Sequence, residues 1–373
     1  MSTNRAFSAL VLDLDDFPRL TLTVIRALGR IRGIRVTLAS RDSRNPAKSS
    51  RWCKSFEYIP PHVDERETLG QIDRVIARQS IDVILPIGDR SVSFISRHVS
   101  ALSTMCAVTP VPRVEDFELA VDKWRFTQYL VANKISCPKS LHCSSVDDLE
   151  RASSELEYPV LLKPRRGHSG HGIERFASFI DLKKHFQSAR ANPGDYILQE
   201  VVEGHDFGCN VLSWEGEILA YTLQRGELQG STPYGAPAGV RFIDDEDVYN
   251  AATAFPARIR WNGVMNLDLR HDRAEGVIKV LEANPRYWRS LMGSVVAGVN
   301  FPYLACLKAL QLPVPPGTYN AVPFIHENGV AAHQIIQQLL RRRKKEYRFR
   351  DTSLRFAAQD PIPDVLLLTN WFL

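Results

Sequence analysis

No apolar run in these 373 residues reaches the roughly 20 residues needed to span a bilayer, so no membrane-spanning role is expected. The N-terminus, MSTNRAFSALVLDLDDF, lacks the basic start and small-residue cleavage site of a signal peptide, and is read as the first strand of a cytoplasmic protein. Cysteine is sparse and scattered: Cys53, Cys106, Cys137, Cys143, Cys209 and Cys306 show no Cys-x-x-Cys spacing and no neighbouring histidine pair. Zinc and disulfide frameworks both lose support. The first apolar stretch is not followed by Gly-x-Gly-x-x-Gly and no Gly-Lys-Ser/Thr occurs, which argues against a nicotinamide cofactor and against a P-loop. There is no internal repeat.

What is present is ordinary globular composition, in a length that suits two or three domains of about 100 to 200 residues each. Much of the formal net charge of +5 sits in RRRKKEYRFR, residues 341 to 350, behind an apolar helical stretch with Ile335, Ile336, Leu339 and Leu340. Such a run is usually the solvated end of a helix. Nucleic-acid binding is disfavoured, since only Tyr347 and Phe349 are offered locally for stacking.

The first hundred or so residues alternate strands with amphipathic helices: FSALVLDL, a helix through RLTLTVIRALGRI, IRVTLAS, and a helix before DVILPIG. That rhythm predicts a doubly wound parallel sheet of α/β class. Gly88 and Asp89 fall at the carboxyl end of a strand, where such sheets place ligands. A proline-rich break at residues 109 to 117 ends this domain, and Asp122 precedes a helix carrying Lys123 and Arg125. From 155 to 245 strands and turns dominate, an α+β pattern. A helix through NFPYLACLKAL closes that region, and QLPVPPGTYN is expected to be a linker to a C-terminal segment.

The chemistry concentrates in GVMNLDLRHDRAEGVIKVLEANPRYWRS. On a strand, residues i and i+2 share a face. Asn266, Asp268 and Arg270 then point one way and Leu267 and Leu269 the other; Glu282 and Asn284 share a face opposite Leu281 and Ala283. If the strands form a hairpin, Asp268 faces Glu282 when the turn through His271 to Gly276 is odd in length and centred near Glu275. Oxygen donors gathered this way suit Mg²⁺, with Arg286 near its phosphates. Either carboxylate alone is better explained as an exposed strand residue or a salt-bridge partner; together they favour a metal site.

Two further stretches support this. Lys163 ends the apolar PVLLKP and precedes RRGHSGHGI, where Gly167, Gly170 and Gly172 allow tight turns, Arg165 and Arg166 add charge, and His168 and His171 add donors. A flap closing over phosphates fits this loop, although an ordinary surface hairpin explains such a loop alone about as often. In YILQEVVEGHDF, a strand ending at Gln199, Glu200, Val201 and Val202 offers backbone groups to a purine, and Asp206 follows as a carboxylate for ribose hydroxyls; a plain hairpin with exposed acids is the alternative.

Lys163 with its glycine loop, the QEVVEGHD hinge and the Asp268, Glu282, Asn284 set occur in the order found in the ATP-grasp superfamily, which the chain resembles over roughly residues 113 to 312. LEANPRYWRSLMGSVVAGVNFP is especially similar to the metal-site strand and helix of carbamoyl phosphate synthetases and amino-acid ligases. The resemblance implies an N-terminal domain over 1–112, an ATP-grasp module over 113–312 with a lid at about 145–198, and a C-terminal extension over 313–373. It implies that Lys123, Lys163 and the loop containing Gly167, Ser169, Gly170 and Gly172 contact ATP phosphates. Gln199, Glu200 and Val202 would hold adenine and Asp206, where family members usually have a glutamate, the ribose. Asp268, Glu282 and Asn284 would bind Mg²⁺, or Mn²⁺ in its place, and Arg286 would stabilise the transferring phosphate. Residues 226 to 244 match no specificity pattern, and Arg241 within them is a second catalytic candidate.

The implied reaction is attack of a small-molecule carboxylate on the γ-phosphate, giving an acyl phosphate that an amine captures. It needs positioning and charge neutralisation rather than a protein nucleophile. Biotin carboxylase activity is disfavoured, because the Asn-Pro-Arg-Tyr-Trp-Arg run lacks that family's following glutamate. The alternatives are a carbamoyl-phosphate or purine-pathway synthetase and a non-catalytic ATP-binding regulatory protein. A homodimer is the oligomer common in the superfamily.

Overall fold

The computed structural model describes residues 6–15, 17–61, 63–145, 148–150, 154–167, 170–188, 192–230, 232, 234–340 and 347–369. The first sheet is parallel throughout, in the order β3-β2-β1-β4-β5. Its strands are β1 (Phe7–Asp13), β2 (Ile34–Ser40), β3 (Cys53–Tyr58), β4 (Val83–Pro86) and β5 (Ala107–Val108). All of β1 is buried, as a central strand covered on both faces must be.

Helices α1 (Pro18–Gly29), α2 (Glu65–Gln79) and α3 (Asp89–Leu102) wind around the sheet. Each begins where its sequence dictates. Pro opens the first turn of α1, and the Asp64 side chain accepts from Glu67 N to cap α2. The expected doubly wound sheet is present, and its strand order reverses between β1 and β4, which opens a crevice at their carboxyl ends.

Only the first half of the proline-rich break is irregular. Helix α4 (Val114–Val121) already starts within it, and α5 (Lys123–Ala132) follows with Asp122 as its cap, accepting from Trp124 N and Arg125 N. A four-stranded antiparallel sheet comes next, in the order β6-β9-β7-β8, from β6 (Ser140–His142), β7 (Val160–Pro164), β8 (Glu174–Phe176) and β9 (Tyr196–Glu200). The glycine loop joins β7 to β8, as expected for a flap between strands.

The largest sheet is antiparallel, ordered β14-β13-β10-β11-β12-β15. It comprises β10 (Gly204–Trp214), β11 (Glu217–Leu228), β12 (Gly239–Ile243), β13 (Gly263–Asp272), β14 (Val277–Asn284) and β15 (Pro323–Ile325). One face packs on the helix Glu246–Arg258, burying Phe255, Trp261 and Leu267 completely. Each such side chain contributes roughly 1.5–3 kcal/mol of transfer free energy.

Two expectations are corrected here. Asp268 does face Glu282, but the turn is the even Arg273–Gly276 between the paired Asp272 and Val277. A bulge supplies the odd residue: Leu269 pairs with Val280 while Asp268 pairs with Glu282, leaving Leu281 extra. Leu281 is therefore not turned away from Glu282, and both line the same cleft. The supposed linker, residues 311 to 320, is a packed strap. Leu312, Val314 and Tyr319 lie against buried core residues, and Tyr319 Oη donates to Ile243 O at 2.6 Å.

All six cysteines are free. Among the described residues no single helix is long and apolar enough to cross a membrane. Most of the basic run, residues 341–346, lies outside the described residues.

Candidate active site

Strand pairing sets the centre of the site. Asp268 stands opposite Glu282 and Asn266 opposite Asn284, so one face of the β13–β14 hairpin carries four polar side chains. Asn284 Nδ2 donates to Asp268 Oδ2 at 3.1 Å and to Glu282 Oε1 at 3.3 Å, bracing both carboxylates. Cations approach from two other elements. Lys123 Nζ, at the start of α5, lies 3.2 Å from Glu282 Oε2 and donates to Gly167 O in the glycine loop at 3.0 Å. Lys163, at the end of β7, is buried and faces the same pair.

These charges tune one another. Burial and the neighbouring Glu282 push the Asp268 carboxyl well above the usual carboxylate range. Burial would raise Glu282 as well, but Lys123 and Lys163 outweigh it and hold Glu282 down at about 2. Burial lowers Lys163 to about 8, helped by Lys123 and Arg270 and opposed by Glu282. Two carboxylates, only one of them favoured as an ion, are what a hard cation would complete: its charge would let both ionise.

The donor set fits Mg²⁺ bound together with phosphates. Among the described residues no cluster of three His, Cys, Asp or Glu could hold a metal by itself, and the pair of Asp268 and Glu282 is bridged by the amide of Asn284. Mg²⁺ is held in just this way, by one or two carboxylates plus substrate oxygens. The Asn284 amide would have to turn over to offer its oxygen, which now accepts from Arg286 Nη2 at 3.1 Å.

Arg286 is positioned by the N-terminal domain. Its guanidinium lies over the Phe17 ring at 5.6 Å, and Nε is 3.4 Å from Asp89 Oδ1. Asp89 opens α3, just after β4, so the crevice of the parallel sheet meets the end of β14. Gly88 permits this close approach: a Cβ there would fall 2.6 Å from Asp15 Cγ.

The cleft runs from the Asp268–Glu282 pair toward the four-stranded sheet. Lys163 and Gly170 come from β7 and the glycine loop; Gln199, Glu200 and Val202 come from β9 and the segment after it; Asp206, Leu269 and Leu281 lie on the six-stranded sheet. The Gln199 amide donates to Ser140 Oγ at 2.9 Å. Gly170 has φ +73°, and a Cβ would stand 2.4 Å from Tyr234 O, so only glycine lets the loop close on that segment. Gly167 and Lys123 line a neighbouring cavity of about 370 Å³, which shares Glu282 and Asn284 with the cleft. Gly172 packs on Pro164 and lines neither. Ser169 and His168 lie outside the described residues. Arg241 sits on β12, paired with Glu227 at 2.5 Å, and lines neither cavity.

Sequence reasoning did not reach several cleft residues. Arg270 grips Asp206 at 2.8 and 3.2 Å and Val202 O at 3.0 Å, tying the segment between β9 and β10 to β13. Its face was legible from parity; its partners were not. Trp288, Arg289, Ser290 and His326 also line the cleft. Trp288 Nε1 and both ring nitrogens of His326 are buried without hydrogen-bond partners, and burial lowers His326 to about 3, so it is neutral. His326 follows β15, and nothing in its local sequence marks it.

Residues 192–333 match the family described as "ATP-grasp in the biosynthetic pathway with Ter operon". The chain is 24% identical over 227 residues to a carbamoyl-phosphate synthase of Methanobrevibacter smithii, covering 57% of this chain and 59% of that protein. It is 23% identical over 237 residues to a D-aspartate ligase of Enterococcus faecium, covering 58% and 56%. The matches thus span less than two thirds of these curated relatives. Among solved structures, an L-amino acid ligase from Bacillus licheniformis superposes with a TM-score of 0.65 at 16% identity, covering 84% of this chain and 78% of that one. An N5-carboxyaminoimidazole synthetase from Staphylococcus aureus complexed with ADP gives 0.69 at 13%, covering 90% and 86%.

Proposed function

We propose, from the premise that this chain belongs to the ATP-grasp superfamily, that it is an ATP-dependent ligase joining a small carboxylate to an amine. The observation that carries the reading is the Asp268–Glu282 pair facing Lys123 and Lys163 at the mouth of a cleft between the lid sheet and the six-stranded sheet. The proposal divides the chain into a domain over 1–112, the ATP-grasp module over 113–312 and an extension over 313–373.

In this reading adenine lies between the Gln199–Val202 hinge and Leu269 and Leu281, with Asp206 toward the ribose. Asp268, Glu282 and Asn284 hold Mg²⁺, or Mn²⁺ in its place. When bound, that ion neutralises the phosphate oxygens and orients the γ-phosphate. An oxygen of the acid attacks the γ-phosphorus as the bond to ADP breaks, giving the acyl phosphate. The amine attacks the acyl carbon, phosphate leaves with the C–O electron pair, and the amine loses a proton. Lys163 and Arg286 are placed to neutralise the phosphoryl group, and the hinge and lid to position it, which is the contribution such a transfer requires.

The test is ADP and phosphate release from MgATP across pooled amino acids and small carboxylates, with Glu282→Ala as blank. Release dependent on one acid–amine pair, with a product mass equal to their condensation, is the expected result. Nucleotide binding with no release under any pair would instead favour a non-catalytic ATP-binding protein.

A further inference from the structure

The cavity beside the nucleotide cleft carries cations that the protein itself does not neutralise. It opens at the carboxyl ends of the parallel strands, where the strand order reverses. Arg41 follows β2, Arg90 lies in the first turn of α3 after β4, and Glu282 and Asn284 form the shared wall with the cleft. Four carboxylates of the described residues line it, and each has a cation partner. Glu65 is held by Arg97 at 2.5 Å, Glu118 by Arg166 at 2.6 Å, Glu282 by Lys123 at 3.2 Å and Asp89 by Arg286 at 3.4 Å. Arg41 and Arg90 are left over. Neither has a carboxylate partner among the described residues, and Arg41 Nε is buried with no hydrogen-bond partner at all. A buried guanidinium nitrogen without an acceptor is costly unless a ligand completes it.

The end of α3 is not itself the anion site. Asp15 already takes the backbone N–H groups of Arg90 and Ser91, at 2.8 and 3.1 Å. What remains is two guanidinium side chains, and these match phosphate or carboxylate oxygens.

We propose that this cavity seats the anionic group, a phosphate or a carboxylate, of the amine substrate, with Arg41 and Arg90 as its anchors. This rests on the ligase reading for the words "amine substrate"; the anion site stands on the arginines alone. The acid has a place of its own, since the cleft offers the unpartnered Trp288 Nε1 and His326. An amine anchored on the other side of Glu282 and Asn284 reaches the same centre from the parallel sheet.

The test is isothermal titration of the full chain with inorganic phosphate and, separately, malonate. Each titration is run with and without a saturating non-hydrolysable ATP analogue and Mg²⁺, so that the γ-phosphate position is filled in one arm. One anion is expected to bind the wild type in both arms, and which one it is tells phosphate-bearing from carboxylate-bearing amines. Arg90→Gln, at an exposed position, is expected to weaken it by roughly tenfold or more, and Arg41→Gln with Arg90→Gln to abolish it. Arg260→Gln, remote and exposed, should leave it unchanged.

The proposal is overturned if neither anion binds, if the analogue displaces it, or if the double variant binds as the wild type does. Binding of the analogue is recorded in the same series. Its failure would sink the ligase reading while the anion titration still decides the site.

Discussion

Glu282 is held at about 2 by Lys123 and Lys163 despite its burial, while Asp268 beside it is pushed upward. Of the two carboxylates, Glu282 is the direct counter-ion of Lys123. Glu282→Gln keeps the shape and removes that charge. Turnover is expected to fall by about 10²–10³, the scale of losing one electrostatic group at a reacting centre; near-normal turnover would remove Glu282 from the site. Arg286 is held by Asn284, Asp89 and the Phe17 ring through its planar fork. Arg286→Lys keeps charge but loses that geometry, so kcat is expected to drop by roughly tenfold or more with KM for ATP nearly unchanged. Both residues were legible in the sequence, because strand parity fixes which side chains share a face and Asn-Pro-Arg ends the strand. Arg41, Trp288 and His326 were not. They arrive from a loop after β2, the turn after β14 and the end of β15, and only the tertiary fold brings them near the same centre.

At the scale of elements, the β13–β14 hairpin shows what pattern reading can and cannot supply. Alternation gave the faces, but the bulge at Leu281 is not written in any local residue type, so an odd turn was expected where an even turn and an extra residue produce the same pairing. The hairpin is tied to the hinge by Lys279. Its buried ammonium meets Asp272 at 2.8 Å and Glu200 and Glu275 at 2.9 Å. Burial would lower Lys279, but the three acids outweigh it and raise it, and their hydrogen bond depresses Asp272. The raised lysine contributes stability that is full below its ordinary unfolded value and is lost only as pH climbs through the folded one. The depressed Asp272 contributes stability present above its ordinary value and lost as pH falls through the folded one. Lys279→Met strands three carboxylates around an apolar chain, and is expected to cost about 3 kcal/mol at neutral pH. The difference between wild type and variant should shrink below about pH 4, as the acids protonate. Denaturant unfolding at pH 7 and pH 3 checks this, and a difference independent of pH would show that the cluster is not electrostatic in origin. Because Glu200 belongs to the hinge, the same variant should raise KM for ATP.

Across the whole molecule, the described residues after Pro323 act as a clamp. β15 pairs with β12 and closes the edge of the six-stranded sheet, and Ile325 bridges to Thr352 beyond it. Further on, the buried Asp360 carboxylate accepts from Arg26 Nε at 3.2 Å and from Ser50 Oγ at 2.7 Å, while its backbone carbonyl accepts from Arg26 Nη2 at 2.6 Å. Asp364 completes the pairing with Arg26 at 2.5 Å. Asp360 and Asp364 are thus fastened to α1 and to the turn before β3, on the parallel-sheet unit whose Asp89 and Phe17 also hold Arg286. The Arg26 and Ser50 contacts were not legible, because their partners lie more than 300 residues away and each sits in an unremarkable local context. Asp360→Ala leaves Arg26 buried with one partner fewer and is expected to lower the unfolding free energy by about 3 kcal/mol. Ending the chain before Pro323 goes further. It uncovers the edge of β12, whose unpaired N–H and C=O groups would template association with other chains, and it removes His326 from the cleft. The truncated protein is expected to aggregate, whereas Asp360→Ala should remain monodisperse and merely melt earlier. Size-exclusion chromatography with thermal denaturation separates the two, and a soluble truncation that melts with the wild type would show that the strand caps nothing the sheet needs.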